Sequence, residues 1–210
     1  ARVSVRWHSV SYLAAGLVVV PWLQFVFGLL PFAGLAWVSS AYLLGFLLML
    51  LAGAQWEQVS PKQLGDVLFL AIGVAAVASV GLQLYGWLGL QSNGIMGMWA
   101  LDVTGDRPYA NLGQPNQLAT LLLWGLAAFF WAYLHKMMGA ATAVFGAIFL
   151  LLGVALTQSR AGLLGLSVML AAVWFWRSLW PSRRMPWVAV GLYAYVLLIP
   201  SLLRWLNTAL

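Results

Sequence analysis

Cysteine is absent from this chain of 210 residues, and only four acidic residues and two histidines are present. Without cysteine, the chain offers neither a disulfide framework nor thiolate metal ligands. So few carboxylates and imidazoles also make a metal centre with several protein ligands hard to assemble. We therefore expect a function that uses no metal ion and no cofactor.

Charged residues are also scarce, since they make up 7% of the chain whereas 64% of the residues are hydrophobic. Soluble domains have about 25% charged residues, so this chain cannot cover itself with an ordinary water-facing surface. The 21 glycines and 13 tryptophans fit a membrane protein, because small residues let helices approach and indoles lie at the lipid interface. The composition predicts an all-α polytopic protein surrounded by membrane lipids.

The net charge of +6 does not indicate a nucleic-acid partner. The positive residues stand singly or in pairs between apolar runs, so the sequence predicts no basic face for a phosphate backbone. Membrane topology explains their distribution better.

Seven apolar runs are long enough to cross a membrane, which takes about 20 helical residues. They are residues 10–30, 34–54, 67–90, 115–134, 139–156, 161–180 and 187–206. Only residues 30–33 separate the first two runs, and Pro21 lies inside the first, so one span followed by a re-entrant segment is an alternative. We predict a transmembrane helical bundle of about seven spans that forms one domain over residues 1–210.

Lysine and arginine concentrate on the cytoplasmic side of membrane proteins, and this rule orients the predicted spans. Seven spans with a cytoplasmic N-terminus place seven positive residues inside and three outside, whereas merging the first two runs gives five on each side. Those inside are Arg2, Arg6, Lys62, Lys136, Arg177, Arg183 and Arg184, and those outside are Arg107, Arg160 and Arg204. We therefore predict seven spans with the N-terminus in the cytoplasm.

Residues 91–114 form the longest connection between spans, and it lies outside in this topology. Loops of more than about 12 to 15 residues are usually functional or disordered, and the aromatic and methionine residues here favour an ordered loop at the membrane surface. Asp102 and Asp106 are the outer carboxylates of the predicted topology. Solvated loop charges without a catalytic role are the simpler interpretation of both.

The end of this loop leads into the fourth span, where Pro115 suits the first helical position because the N–H that it lacks would have no partner there. The free N–H groups and the positive macrodipole end that follow suit an anion such as a diphosphate. Asn116 and Gln117 add amides in the first turn. The alternative is that Asn111, Gln114 and Asn116 only cap the helix and satisfy the loop backbone.

A second polar segment, residues 157–162, lies between two apolar runs on the same outer side. Ser159 is a good N-cap for the sixth span, and this places Arg160 in the first turn, where a cation opposes the helix dipole. An arginine at membrane depth usually faces a cavity, and its planar fork matches phosphate oxygens. The alternative is an arginine that extends to lipid headgroups.

The predicted topology brings both segments to one face, where arginines and a helix N-terminus would surround an anionic ligand. The candidate catalytic residue is Arg160. The candidate substrate-binding residues are Arg107, Asn111, Gln114, Asn116, Gln117 and Ser159. Gln83 and Tyr85 lie near the outer end of the third span, where hydrogen bonding between helices is their simpler role.

Both segments resemble those of a known family. Residues 105–119, GDRPYANLGQPNQLA, are similar to the signature of the bacterial O-linked oligosaccharyltransferases of the PglL type, which glycosylate pilins. Gln117 stands where that family commonly has histidine, which puts any role of that imidazole here in doubt. Residues 157–162, TQSRAG, resemble a Ser-Arg-Thr/Ala-Gly motif of the wider superfamily of O-antigen ligases and Wzy polymerases.

The resemblance implies a metal-independent glycosyltransferase of the ligase-type GT-C fold in the bacterial inner membrane. It implies transfer of a glycan from an undecaprenyl-diphosphate carrier to a Ser or Thr hydroxyl of an acceptor protein such as a pilin, on the periplasmic side. Membrane arginines would bind the diphosphate, and a histidine in a large periplasmic loop would activate the acceptor. Family members have more spans than this chain, so we expect residues 1–210 to be the N-terminal part of a longer protein and to be inactive alone.

Other functions stay open beside this one. Ligation of O-antigen to lipid A core, or polymerisation of O-antigen repeats, would use the same donor chemistry. A transporter would need broken helices and ionisable residues at the membrane midplane, whereas every charge here can be placed at a span end. A structural subunit would have no evident use for the long outer loop, so the sequence favours an enzyme.

Overall fold

The computed structural model describes residues 7–90, 110–179 and 184–209, with side chains as far as residue 201 except that of Leu179. All regular secondary structure in these ranges is helical, which confirms the predicted all-α class. The α-helices there are α1 (Ser9–Val26), α2 (Ala33–Val59), α3 (Gln63–Trp87), α4 (Pro115–Leu134), α5 (Ala140–Thr157), α6 (Arg160–Phe175) and α7 (Met185–Ala209). A single turn of 3-10 helix, Arg177–Leu179, follows α6.

The helices α1 to α5 are long and apolar enough to cross a membrane. Helix α6 has 16 residues, about 24 Å at the usual rise, and is shorter than the predicted run of residues 161–180. It ends at Phe175 because the backbone of Trp176 leaves the helical region before the 3-10 turn begins. The helical membrane bundle is thus confirmed, and the crossing of the membrane by all seven helices stays a prediction.

The chain divides into two compact units, Ala1–Val67 and Leu68–Leu210, and the division falls within α3. Each unit has its own packing. The prediction of one membrane domain over residues 1–210 stays a prediction.

In the first unit, α1 and α2 pack against each other as a helical hairpin. The Ser40 hydroxyl donates to the Val18 carbonyl over 2.8 Å, and the rings of Trp22 and Trp37 meet edge to face with centroids 5.5 Å apart. The two members of each pair lie about equally far from the turn between the helices, so the helices run antiparallel. Helix α1 continues through Pro21, and the first two apolar runs form two separate helices.

In the second unit, small residues let α3, α4 and α5 approach closely. A Cβ atom added to Gly153 of α5 would lie 2.7 Å from Val80 Cγ2 of α3 and 2.8 Å from Leu122 Cδ1 of α4. A Cβ atom added to Gly125 of α4 would lie 2.5 Å from the Cβ of Ala76. Small residues at helix crossings are the usual way in which membrane helices gain van der Waals contact.

The core of this unit is almost entirely aliphatic. Its buried members are Ala76, Val80, Ala110, Leu118, Leu122, Leu150, Leu151, Val154, Ala155, Leu166, Val196 and Ile199. They come from α3 to α7 and, in the case of Ala110, from the turn that leads into α4. The core thus reaches up to the segment in which the sequence predicted a functional site.

Candidate functional site

Helices α4 and α6 run parallel, side by side, so their N-termini lie at the same end of the second unit. A Cβ atom added to Gly162 would lie 2.7 Å from the Cβ of Ala119, and one added to Gly165 would lie 2.5 Å from Leu123 Cδ1. The sequence separation is nearly the same in both pairs, as it must be for parallel neighbours. The two segments that the sequence predicted to converge are therefore adjacent in the fold.

Ser159 connects the two N-termini. Its hydroxyl accepts a hydrogen bond from the Gly162 backbone N–H over 3.0 Å, which makes it the N-cap of α6 as predicted. The same hydroxyl donates to Asn116 Oδ1 over 2.8 Å, across 43 residues of sequence. Ser159 itself is only 2% exposed, so it is covered by protein in spite of its position at a helix end.

The first turn of α4 begins at Pro115, as predicted, but its polar residues do not cap the helix. Gln114 is the N-cap residue, and its side chain makes no capping hydrogen bond. The Asn116 side chain reaches α6 instead, and the Thr120 hydroxyl donates to the Asn116 carbonyl over 2.9 Å. The capping part of the alternative is therefore wrong for Gln114 and Asn116, whereas its other part, hydrogen bonds to the loop backbone, involves residues outside those described and stays a prediction.

Asn111 lies in the turn before α4 and contacts α3. Its Oδ1 accepts a hydrogen bond of 3.3 Å from the Ser79 hydroxyl, and Ser79 lies about two helical turns before the end of α3 at Trp87. The preceding residue, Ala110, has a left-handed backbone with φ of 54° and is 3% exposed in the core. This turn consequently packs against the side of α3, about two helical turns before the C-terminal end of that helix.

Gln83 is completely buried and joins α3 to α5. Its Nε2 donates to the Gly153 carbonyl over 3.1 Å, which confirms the predicted role in hydrogen bonding between helices. Near the end of α5, the Thr157 hydroxyl donates to the Val154 carbonyl over 2.6 Å and accepts from the Ser159 backbone N–H over 3.2 Å. The described polar side chains that are buried in the second unit all lie toward this end of α3, α5 and α6.

Ser79 is the residue of this group that the sequence analysis missed. A single serine in an apolar span carries little signal by itself. However, Ser79 precedes Gln83 by four residues, a spacing that places both on one helical face. That spacing would have linked Ser79 to the outer end of the span.

The connection between α5 and α6 consists of Gln158 and Ser159 alone. Gln158 has a left-handed backbone with φ of 46°, which reverses the chain direction in so short a distance. Gly would adopt this conformation without steric cost, whereas Gln does so at some expense. The reversal places Arg160 at the first position of α6, where the sequence predicted it.

Arg160 is exposed and carries a positive charge at this end of the second unit. The first turns of α4 and α6 contain no acidic residue, and the described residues from 68 onward contain no carboxylate side chain at all. The partial negative charges at the C-terminal ends of α3 and α5 offset the partial positive charges at the N-terminal ends of α4 and α6. Among the described residues of the second unit, no carboxylate balances the guanidinium of Arg160.

The other candidate residues differ in position. Gln114 and Gln117 are exposed at the start of α4. Arg107, like Asp102 and Asp106, lies outside the described residues. The described residues contain no group of three or more His, Asp or Glu side chains that could hold a metal ion. The arrangement can offer one guanidinium, exposed amides and free helix N–H groups, which together suit an anion.

A known protein family and a known protein match parts of this chain. A family model described as protein glycosylation ligase matches residues 108–131, which include the turn before α4 and most of α4. A general O-oligosaccharyltransferase of Acinetobacter baylyi is 36% identical over 124 residues, which is 56% of this chain and 20% of that protein. No solved structure matches the chain.

These two matches cover part of this chain, and the aligned segment is about one fifth of the length of the Acinetobacter protein. The first match coincides with the site, since it contains Asn111, Gln114, Asn116 and Gln117. The resemblance to the PglL-type O-oligosaccharyltransferases, which are glycosyltransferases, is thereby confirmed for part of the chain, and the family model itself covers the first of the two sequence segments.

Proposed function

We propose that the protein transfers a glycan from an undecaprenyl-diphosphate carrier to a Ser or Thr hydroxyl of an acceptor protein such as a pilin. The reaction takes place on the periplasmic side of the bacterial inner membrane. The observation that carries the proposal is the contact between Ser159 and Asn116, because it joins the segment matched by the glycosylation family to the helix that begins with Arg160. A diphosphate is the anionic part of such a donor.

The chemistry needs a positive group where the leaving group departs. The acceptor oxygen forms a bond to the anomeric carbon, and the bond from that carbon to the diphosphate oxygen breaks. The electron pair stays on the diphosphate, so negative charge builds up there, and a preplaced cation lowers the barrier. The hydroxyl proton passes to a base, which by resemblance to the family is a histidine in a large periplasmic loop.

Arg160 has the main role in this proposal, as the group that stabilises the departing diphosphate. Asn116, Gln117, Gln114 and Asn111 supply amides at the start of α4, and Arg107 supplies a second cation. The free N–H groups of the first turn of α4 support the same anion. Each of these contributions depends on α4 and α6 starting at the same end of the bundle.

The test measures glycan transfer to a pilin in cells that make a lipid-linked oligosaccharide. The cells express either the full-length native gene or one of its variants. Arg160→Ala should lower transfer about 100-fold or more, comparable to the loss of one preorganised donor in an active site. Arg177→Ala is the matched control, because Arg177 is also exposed but follows the C-terminal end of α6. Both variants should be present in the membrane at the native level.

Near-normal transfer by Arg160→Ala would remove this arginine from the mechanism. No transfer by the native protein, when it is present in the membrane, would contradict protein glycosylation. Modification of lipid A core or longer O-antigen chains in the same cells would then assign the protein to O-antigen ligation or polymerisation.

The proposed orientation can be tested separately, since the native chain has no cysteine. Gln158→Cys and Lys136→Cys place single thiols at exposed residues of the turn before α6 and the turn after α4. An impermeant maleimide added to whole cells should label the first and spare the second until the membrane is opened. The reverse pattern would invert the proposed topology.

A further inference from the structure

Ser159 has no hydrogen-bond donor left for a substrate. A serine hydroxyl has one proton and two lone pairs. The proton goes to Asn116 Oδ1, and one lone pair accepts the Gly162 N–H. With 2% of its surface exposed, Ser159 cannot approach an anionic ligand, which needs donors rather than acceptors.

The same hydrogen bond determines which way the Asn116 amide is turned. In the structure, the Ser159 hydroxyl accepts from the Gly162 N–H and donates its own proton to Asn116 Oδ1, which lies 2.8 Å away. The oxygen of the amide therefore faces α6. The Nδ2 atom on the other arm keeps both N–H donors, and within the described residues it makes no hydrogen bond.

Asn116 is exposed and lies in the first turn of α4, while Arg160 begins the first turn of α6. The hydroxyl that turns the amide also caps the helix that carries Arg160. The Ser159 side chain thus influences both the orientation of the Asn116 amide, with its two N–H donors, and the position of the Arg160 guanidinium.

We infer that Ser159 is a positioning residue, which orients the Asn116 amide so that its two N–H donors contact the diphosphate of the donor beside Arg160. The inference rests on the proposed function for the identity of the anion. Asn116 is then a substrate-binding residue, and Ser159 acts through it. The close packing of Gly162 on Ala119 supports this arrangement by holding α6 against α4.

A double-mutant cycle separates this role from that of a helix cap. If Ser159 were only a cap, Ser159→Ala would have the same effect with or without the Asn116 side chain, since independent effects add. If Ser159 acts through Asn116, the effect should largely disappear in the Asn116→Ala background. Ser159→Thr keeps a hydroxyl at the cap and should keep native behaviour.

The measurement is made on the full-length native protein in lipid nanodiscs, with farnesyl diphosphate as the probe of the diphosphate site. Ser159→Ala should raise the Kd of the probe about 10-fold, as expected for a misaligned pair of donors to a charged group. In the Asn116→Ala background the same substitution should change the Kd by less than about 2-fold. Ser167→Ala is the control on the same helix, because that hydroxyl donates to the Leu163 carbonyl and pairs with Tyr193.

Asn116→Asp is the most specific variant. It keeps an oxygen for the Ser159 proton but replaces both N–H donors with a second oxygen and adds a negative charge. It should bind the probe more weakly than Asn116→Ala, although it keeps the contact with Ser159. A merely structural contact would tolerate Asp better than Ala.

Additive effects in the cycle, or an Asn116→Asp protein that binds as well as the native one, would overturn the inference. Failure of the native protein to bind the probe would overturn it as well. Glycan transfer to pilin is measured on the same preparations, so that the two proposals are judged separately. Native protein that binds the probe with the coupled pattern but transfers no glycan would retain the positioning role of Ser159 and refute the proposed reaction.

Discussion

The two units of this protein are built from equally apolar helices, yet they pack by different means. In the first unit, α1 buries Ser11, Ala14 and Pro21, and α2 buries Ala36, Ser40 and Leu47. In the second unit, α5 alone buries eight residues. The first unit is a hairpin of two helices that bury few residues, whereas the second has a continuous core shared by several helices with close crossings.

The polar residues differ in the same way. Among the described residues of the first unit, one side-chain hydrogen bond joins α1 to α2, from the Ser40 hydroxyl to the Val18 carbonyl. The second gathers Ser79, Gln83, Thr157 and Ser159 toward the end at which α4 and α6 begin. Buried hydrogen bonds between helices help to fix one arrangement of those helices, and such precision suits a binding site. This difference supports the proposal that the functional site lies in the second unit.

The largest difference should appear at the glycines. Gly153→Ala places a methyl group 2.7 Å from Val80 Cγ2 and 2.8 Å from Leu122 Cδ1, so it should lower the free energy of unfolding by about 1–3 kcal/mol. Gly45→Ala in α2 meets no atom within 4 Å and should be neutral or stabilising by up to about 1 kcal/mol. Unfolding by a denaturing detergent in micelles measures both. Equal effects would mean that the two units pack alike.

The buried serines should differ by less. Ser159→Ala removes both the cap of Gly162 N–H and the bond to Asn116, and should cost about 1–2 kcal/mol of unfolding free energy. Ser40→Ala removes one bond to a carbonyl, and should cost about 0.5–1 kcal/mol. The same titration compares them. A larger loss at Ser40 would show that the first unit depends more on its single polar contact.

Small effects of opposite sign are expected at the turns. Gln158 has φ of 46° and Gly28, at the end of α1, has φ of 72°. Gln158→Gly should relieve strain and stabilise the protein by about 0.5 kcal/mol after the entropy cost of glycine. Gly28→Ala should destabilise it by about 1 kcal/mol, because a Cβ is disfavoured there whatever the surrounding space. Opposite signs in thermal unfolding would confirm that left-handed turns end helices in both units.

Much of the local structure of the site was predictable from the sequence. Pro115 at the first position of α4, Ser159 as N-cap and Arg160 in the first turn all follow from rules that involve only neighbouring residues. The end of α6 was predicted too late, because an apolar run does not show where the backbone tightens into a 3-10 turn. The roles of Asn111 and Asn116 were left open between capping and binding, since their partners are 32 and 43 residues away.

The sequence by itself determined the class of this protein, since a chain with so few charges and such long apolar runs must satisfy its backbone within helices in a membrane. It also determined the helix ends that local chemistry sets. Only the tertiary structure decided which glycines are needed, because Gly45 and Gly153 look alike in sequence and differ in what surrounds them. It likewise decided that Ser159 turns toward Asn116, because the geometry of a hydrogen bond between distant residues exists only once α4 and α6 have packed.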